Sequence, residues 1–204
     1  MKHLFALTLA LCTSLHVGAA RVELQVGDIL LQPLNCRVCS LIEGEEESPY
    51  SHMGLVLSVN PVMVAEAWGS VVLTDVKDFV KKTERGQNIK VLRFRRENIS
   101  RVLNGNQQKY AAIFFQDFHH RKYDEKFSWH NLDENEEEKY YCSELVSKLL
   151  QAFIGLETPI KRMHFNQNRE QWYQYFEGNI PDGQWGNSPA DFEKSDLFYA
   201  AGEL

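Results

Sequence analysis

The apolar residues of this chain change period partway along it, and that change narrows the fold more than any other feature. As far as Phe94 they come in short uninterrupted runs of strand length. The runs are Ile29-Leu30-Leu31-Gln32 after Gly27-Asp28, Met53 to Val59, Val62 to Trp68, Val71 to Leu73 and Ile89 to Phe94. Turn residues separate them, at Asn60-Pro61, Gly69-Ser70 and Gly86-Gln87-Asn88. From Tyr110 onward the spacing lengthens: Tyr110, Ile113, Phe114 and Phe118 share one helical face. Leu145, Val146, Leu149, Leu150 and Phe153 share another, with Gly155 as its stop. Strands first and helices later predict an α+β domain, a small antiparallel sheet packed against helices. Thr74 reads as the cap of a short helix through Lys82, and Ser188-Pro189 as a cap followed by proline at the first helical position. Residues 164–188, rich in Asn, Gln, Gly and aromatics, read as irregular structure.

The first twenty residues stand apart from this pattern. Lys2 and His3 precede an apolar run from Leu4 to Leu15, and the small residues Val17 to Ala20 then offer a cleavage site near Ala19 to Arg21. Residues 1–20 therefore read as a secretory signal, and residues 21–204 as a single domain that is exported, either periplasmic or secreted. Leu11 before Cys12 spoils a lipoprotein-type cleavage box, and no later segment approaches the roughly 20 apolar residues of a membrane span. Acids outnumber bases 28 to 22 with no basic stripe, which excludes nucleic acid as an expected partner. The consecutive carboxylates from Asp133 to Glu138 read as a solvated loop, not a metal site. No cofactor or metal is implied, and the oligomeric state is not legible.

Cys12 leaves with the signal, so Cys36, Cys39 and Cys142 remain of the four cysteines. An odd number leaves one thiol free, and Cys142 stands alone. Placed where the acidic loop gives way to an apolar helix, a first-turn cysteine feels unpaired N–H groups and the positive end of the helix dipole, which favour thiolate. Cys142 is thus either a nucleophile or a buried packing residue. A nucleophilic thiol needs an imidazole, and His52 in Ser51-His52-Met53-Gly54 sits where a strand begins. His119, His120, His130 and His164 lie at a helix end or in polar loops, where histidines are commonly solvated. Glu66, alone among Val64, Ala65 and Ala67 on the next strand, is either the group that orients His52 or a solvent-facing residue. Cys36-Arg-Val-Cys39 cannot supply four zinc ligands by itself. It reads as a local disulfide, with two free thiols as the alternative. A thioredoxin-like role is not expected, because the motif is not read as lying between a strand and a helix.

The segments Gly-Asp-Ile-Leu-Leu-Gln at 27–32, Tyr-Ser-His-Met-Gly-Leu-Val at 50–56, Glu-Ala-Trp-Gly at 66–69, Tyr-Asp at 123–124 and Tyr-Cys-Ser-Glu-Leu-Val at 141–146 resemble the YiiX/YebB-like branch of the NlpC papain-like hydrolases, in that family's order. The resemblance spans about residues 25–155, with a weaker echo at 188–191. It implies a circularly permuted papain-like fold, with Cys142 as nucleophile, His52 as base and Glu66 as orienting residue. An oxyanion hole of the papain type uses the nucleophile's own N–H and a polar side chain, for which Gln32 or Tyr141 is the candidate. The implied substrate is a cell-wall peptide amide or a related small amide. The same scaffold also resembles lipid acyltransferases and thioesterases. The rival from another class is a non-catalytic binding domain with a ligand groove built from the aromatic tail at Trp172, Tyr173, Tyr175, Phe176 and Trp185.

Overall fold

The computed structural model describes residues 22–204; the expected signal at residues 1–20 and its cleavage site lie outside them. Six antiparallel strands form one sheet: β1 (Ile29–Gln32), β2 (His52–Val59), β3 (Val62–Trp68), β4 (Ser70–Asp75), β5 (Lys90–Phe94) and β8 (Phe198–Glu203), in the order β4-β3-β2-β1-β5-β8. A two-stranded ribbon pairs β6 (Lys161–Arg162) with β7 (Trp185–Gly186). The helices are α1 (Arg37–Glu46), α2 (Val76–Lys81), α3 (Glu97–Gly105), α4 (Gln107–Ile113), α5 (Cys142–Ile154), α6 (Arg169–Tyr175) and α7 (Pro189–Glu193). The architecture is the α+β arrangement that the change of period predicts.

The central strands are apolar runs because both faces of the sheet are covered. Met53, Leu55 and Leu57 point to the α5 side, where they pack with Leu145, Val146, Leu149 and Leu150. Leu30, Val56, Val64 and Val91 point the other way, against Phe79 of α2. Leu149 is fully buried, and its truncation to Ala would cost about 2–5 kcal/mol. Packing of this kind fixes the long α5 on the sheet, and Gly155 ends the helix in the left-handed conformation at φ 66°.

The structure departs from the sequence reading at four places. Thr74 does not cap α2: it lies in β4 opposite Val64, as suits a β-branched residue, and Asp75 accepts the Lys77 N–H as the cap instead. Tyr110, Phe114 and Phe118 do share one buried face with Ile113 packed against it, but the element is not one helix: α4 ends at Ile113 and a π-helical turn follows at Phe114–Phe118. Residues 164–188 are not irregular throughout, since they contain α6 and β7; Trp172 and Phe176, four apart, bury one face of that helix. Finally, Cys36-Arg-Val-Cys39 does follow a strand and open a helix, with Cys36 at the N-cap of α1.

Candidate active site

Antiparallel register brings the first two polar groups together. Gly54 lies opposite Glu66, so His52, two residues before Gly54, shares its face and is a diagonal neighbour of Glu66. Only glycine fits between them, because a Cβ on residue 54 would stand 2.5 Å from a Val64 methyl and 3.1 Å from the Phe79 ring. His52 Nε2 meets Glu66 Oε2 at 2.8 Å, and both side chains are buried. The His52 ring is held between Phe79, stacked at 5.7 Å, and Trp68, edge-on at 5.6 Å.

A third group, not anticipated from sequence, completes this cluster. Lys82 at the end of α2 donates to both Glu66 oxygens, at 2.5 and 2.6 Å. Its ammonium lies 4.7 Å from the Trp68 ring centre and 5.1 Å from that of Phe79, where ring faces favour a cation. Burial opposes charge on Glu66, but the hydrogen bond and charge of His52, followed by the Lys82 and Thr74 hydrogen bonds, hold its pKa down at about 2. The sequence did carry a signal for Lys82: it is three residues from the fully buried Phe79, hence on the same helical face.

Cys142 is the first residue of α5 and is 5% exposed, and it is the free cysteine among the described residues. Its first-turn position leaves nearby N–H groups without intrahelical acceptors. His52 opens β2 and stands at the strand end, close enough to Cys142 for that side chain to raise its pKa. With Nε2 on Glu66, Nδ1 is the ring atom left for sulfur. Burial disfavours the imidazolium, yet the Cys142 and Glu66 side chains, together with their charges, outweigh it and raise the His52 pKa to about 8. The sulfur opens onto a cleft of about 440 Å³, open mouth included, walled by Ile42, Tyr123, Tyr141, Met163 and Trp172 among others.

Cys142, His52 and Glu66 are therefore brought together, with His52 hydrogen-bonded to Glu66 and its pKa raised by the adjoining Cys142. Gln32 does not join them. Although it pairs in register with His52, its amide donates both protons away from Cys142, to the Phe79 carbonyl at 2.7 Å and the Thr83 hydroxyl at 2.8 Å. The expected role as an oxyanion donor is corrected on that ground. Tyr141 lines the cleft beside Cys142, and its hydroxyl accepts the Asn187 N–H at 3.1 Å. Tyr123, from the Tyr-Asp segment, also lines the cleft, and burial followed by the negative charge of Cys142 raises its phenol pKa well above the ordinary range. Such a phenol remains a donor at neutral pH. His130 is tied to Glu138 at 2.8 Å and to Lys148; His164 is exposed at the cleft wall. Cys36 and Cys39 are joined in a disulfide. Trp172 and Phe176 pack in a buried cluster with Tyr141 and Met163, of which Trp172, Tyr141 and Met163 also wall the cleft, while Tyr173 and Trp185 of the aromatic tail are exposed.

Among the described residues, no three or more His, Cys, Asp or Glu side chains are grouped to hold a metal ion, and no helix is long and apolar enough to cross a membrane. Residues 23–199 match a family model described as permuted papain-like amidase enzyme, YaeF/YiiX, C92 family. The fold is similar to that in a crystal structure titled metalloprotein yiiX from Escherichia coli O157:H7, with a TM-score of 0.73 and 24% sequence identity, over 89% of this chain and 98% of that one. No curated protein matches.

Proposed function

The chain belongs to the permuted papain-like amidase family of YaeF and YiiX, and from that membership we propose that Cys142 attacks an amide carbonyl with His52 as acid–base and Glu66 as the orienting carboxylate. Membership makes it a thiol-dependent hydrolase of amidase or peptidase type, acting on a peptide or amide. The observation that carries the residue assignment is the continuous line from Cys142 through the His52 ring to Glu66.

The steps follow from that line. His52 Nδ1 takes the thiol proton, and the thiolate adds to the carbonyl carbon. The backbone N–H of Cys142 and the Tyr123 hydroxyl supply donors for the developing oxyanion. Imidazolium then protonates the leaving amine, and the C–N bond breaks to leave a thioester on Cys142. Water, deprotonated by His52, adds to the thioester, and carboxylate leaves as the thiol is restored. Glu66 stabilises imidazolium in each protonated stage. After His52 itself, Lys82 helps keep that buried carboxylate charged by donating to both of its oxygens. The neighbour's title calls that protein a metalloprotein; among the described residues here no three or more His, Cys, Asp or Glu side chains are grouped to hold a metal ion.

The substrate class this reading favours is a cell-wall peptide amide or a related small amide. Export supports it, through the apolar run after Lys2 and His3 and the Cys36–Cys39 bridge, which suits an oxidising compartment. The test is a panel of muropeptide fragments and simple peptide amides with wild-type protein and the Cys142→Ala and Cys142→Ser variants, analysed by mass spectrometry. Wild type is expected to release an amine and the variants to be inactive while still folded. Cleavage that survives in Cys142→Ala would overturn the assignment of the nucleophile, and a folded wild type that cleaves no fragment would overturn the substrate class.

A further inference from the structure

The Cys36-Arg-Val-Cys39 bridge takes no part in the hydrolytic steps, and its surroundings point to chemistry of its own. We propose that it is a thiol–disulfide exchange site, a reversible redox couple in which Cys36 is the sulfur attacked by a low-molecular-weight thiol and Cys39 the sulfur that leaves and later resolves.

Three observations carry this. First, the two sulfurs occupy unequal positions. Cys36 is half-buried, between exposed Asn35 and Arg37, whereas Cys39 is 4% exposed. Second, Cys36 is the N-cap of the ten-residue α1, and its Sγ accepts the Cys39 N–H at 3.1 Å. A thiolate released there is met by a backbone donor and the positive end of a helix, the setting that makes the first cysteine of a Cys-X-X-Cys pair reactive. Third, the bridge is a poor staple. The chain entropy removed by a disulfide grows with the loop it closes, and this one spans three residues in sequence. Other contacts already fasten α1 along its length: Arg37 donates to Gln174, Glu43 accepts from Ser51, Glu45 accepts from the N–H groups of Asn166 and Gln167, and Glu46 pairs with Lys161.

The exchange balances as follows. A thiolate attacks Cys36 Sγ, the Cys36–Cys39 bond breaks, and Cys39 leaves as thiolate and is protonated. A second thiolate then attacks the external sulfur of the mixed disulfide and frees Cys36. Two thiols are oxidised to one disulfide, and the two electrons reduce the pair to two thiols. Run backwards, Cys39 attacks the mixed disulfide on Cys36 and restores the bridge.

The test uses the full folded chain in a series of reduced and oxidised glutathione mixtures at neutral pH, with acid quenching, alkylation and mass analysis of the peptide containing residues 36–39. The pair is expected to pass from bridged to doubly alkylated across the series while near-ultraviolet circular dichroism stays constant. In the reduced protein Cys36 is expected to alkylate about tenfold faster than Cys39. The Cys39→Ser variant is expected to retain glutathione on Cys36; should it fail to fold, the wild-type mixed disulfide trapped by acid serves instead. A bridge that opens in excess reduced glutathione only when denaturant is added would overturn the proposal, as would a pair of thiols that oxidised glutathione leaves unchanged.

Discussion

Glu66 on β3 and Glu144 in the first turn of α5 are both fully buried, and they are held in opposite states. Glu66 has His52 on one oxygen and Lys82 on both, and its pKa is held at about 2. Glu144 has the His130 N–H on Oε1, while Oε2 has no hydrogen-bond partner. Burial, only partly offset by that N–H, pushes its pKa up to about 8. Burial is common to the two, so the difference lies in the cations. A buried carboxylate on the sheet side is an anion that can support an imidazolium. A buried carboxyl on the helix side is pushed toward its neutral form and so adds less negative charge beside the first turn that holds Cys142.

The largest test of this contrast is Glu66→Gln, which keeps the shape and removes the charge. Turnover is expected to fall roughly ten- to a thousandfold, scaled from the loss when a triad aspartate becomes an amide. The His52 pKa, followed by its ring-proton NMR shift, is expected to drop from about 8 as the stabilising anion is lost. Turnover near wild type with an unchanged His52 titration would remove Glu66 from the machinery.

Lys82→Met comes next, since it preserves the stem that packs on Trp68 and Phe79 while deleting the cation. Leaving Glu66 buried without it is expected to cost about 3–5 kcal/mol of stability at neutral pH, measured by denaturant unfolding. Turnover is expected to fall roughly tenfold, less than in Glu66→Gln because Lys82 acts through the carboxylate. The acid limb of the rate profile should move upward as Glu66 protonates more readily. Lys82→Arg, which keeps the charge, is expected to recover most of both, and a Lys82→Met profile superimposable on wild type would show that His52 alone sets the state of Glu66.

The two carboxylates also predict opposite slopes of stability with pH. The folded pKa of Glu66 lies below its ordinary 4.5, so its contribution is full above 4.5 and is lost as pH falls toward 2. The folded pKa of Glu144 lies above 4.5, so the folded state loses stability as pH rises from 4.5 through about 8. His52, raised from 6.5 to about 8, contributes fully below 6.5 and loses that contribution as pH rises through 8. Paired unfolding curves of wild type and each variant separate the three.

Glu144→Gln is expected to have the smallest effect on catalysis, within about twofold of wild type, because glutamine copies a carboxyl already pushed toward its neutral form. Relative to wild type it is expected to gain stability as pH rises from 4.5 through 8, whereas Glu66→Gln, which lowers the His52 pKa, is expected to gain on wild type only from about 6.5 upward. A severalfold loss of turnover in Glu144→Gln would mean that its charge is used.

What was legible in the sequence divides along physical lines. The bounds of β1 and β3 and the start of α5 could be read because apolar runs and a helix-opening boundary are local signals. Cys142 is legible as the odd cysteine at the start of an apolar helix, His52 as the histidine at a strand entry, and Glu66 as a charge in an apolar run. Lys82 is not, because it follows Lys77 and Lys81 in a helix whose exposed lysines look the same; its spacing of three from Phe79 is the one local signal that separates it from them. Gln32 was misjudged for the complementary reason: its place opposite His52 is visible in the register, but the Phe79 carbonyl that takes its amide comes from a later helix. The helix after β1 is not legible because Cys36-Arg-Val-Cys39 reads as a local disulfide, a reading that says nothing of Cys36 as a helix N-cap.

The hairpin of β2 and β3 has a consequence for how the chain becomes active. His52 and Glu66 lie on strands adjacent in sequence, joined by the short turn at Asn60-Pro61 and covered at once by Lys82 of the following helix. Contacts so local form early and at little loop-closure cost. The sulfur comes from α5, much later in the chain, and meets them only when that helix docks across the sheet. A chain truncated before Cys142 would hold the His52–Glu66 pair without the sulfur it faces, so on the proposed mechanism the site is complete only once the last long helix has been made.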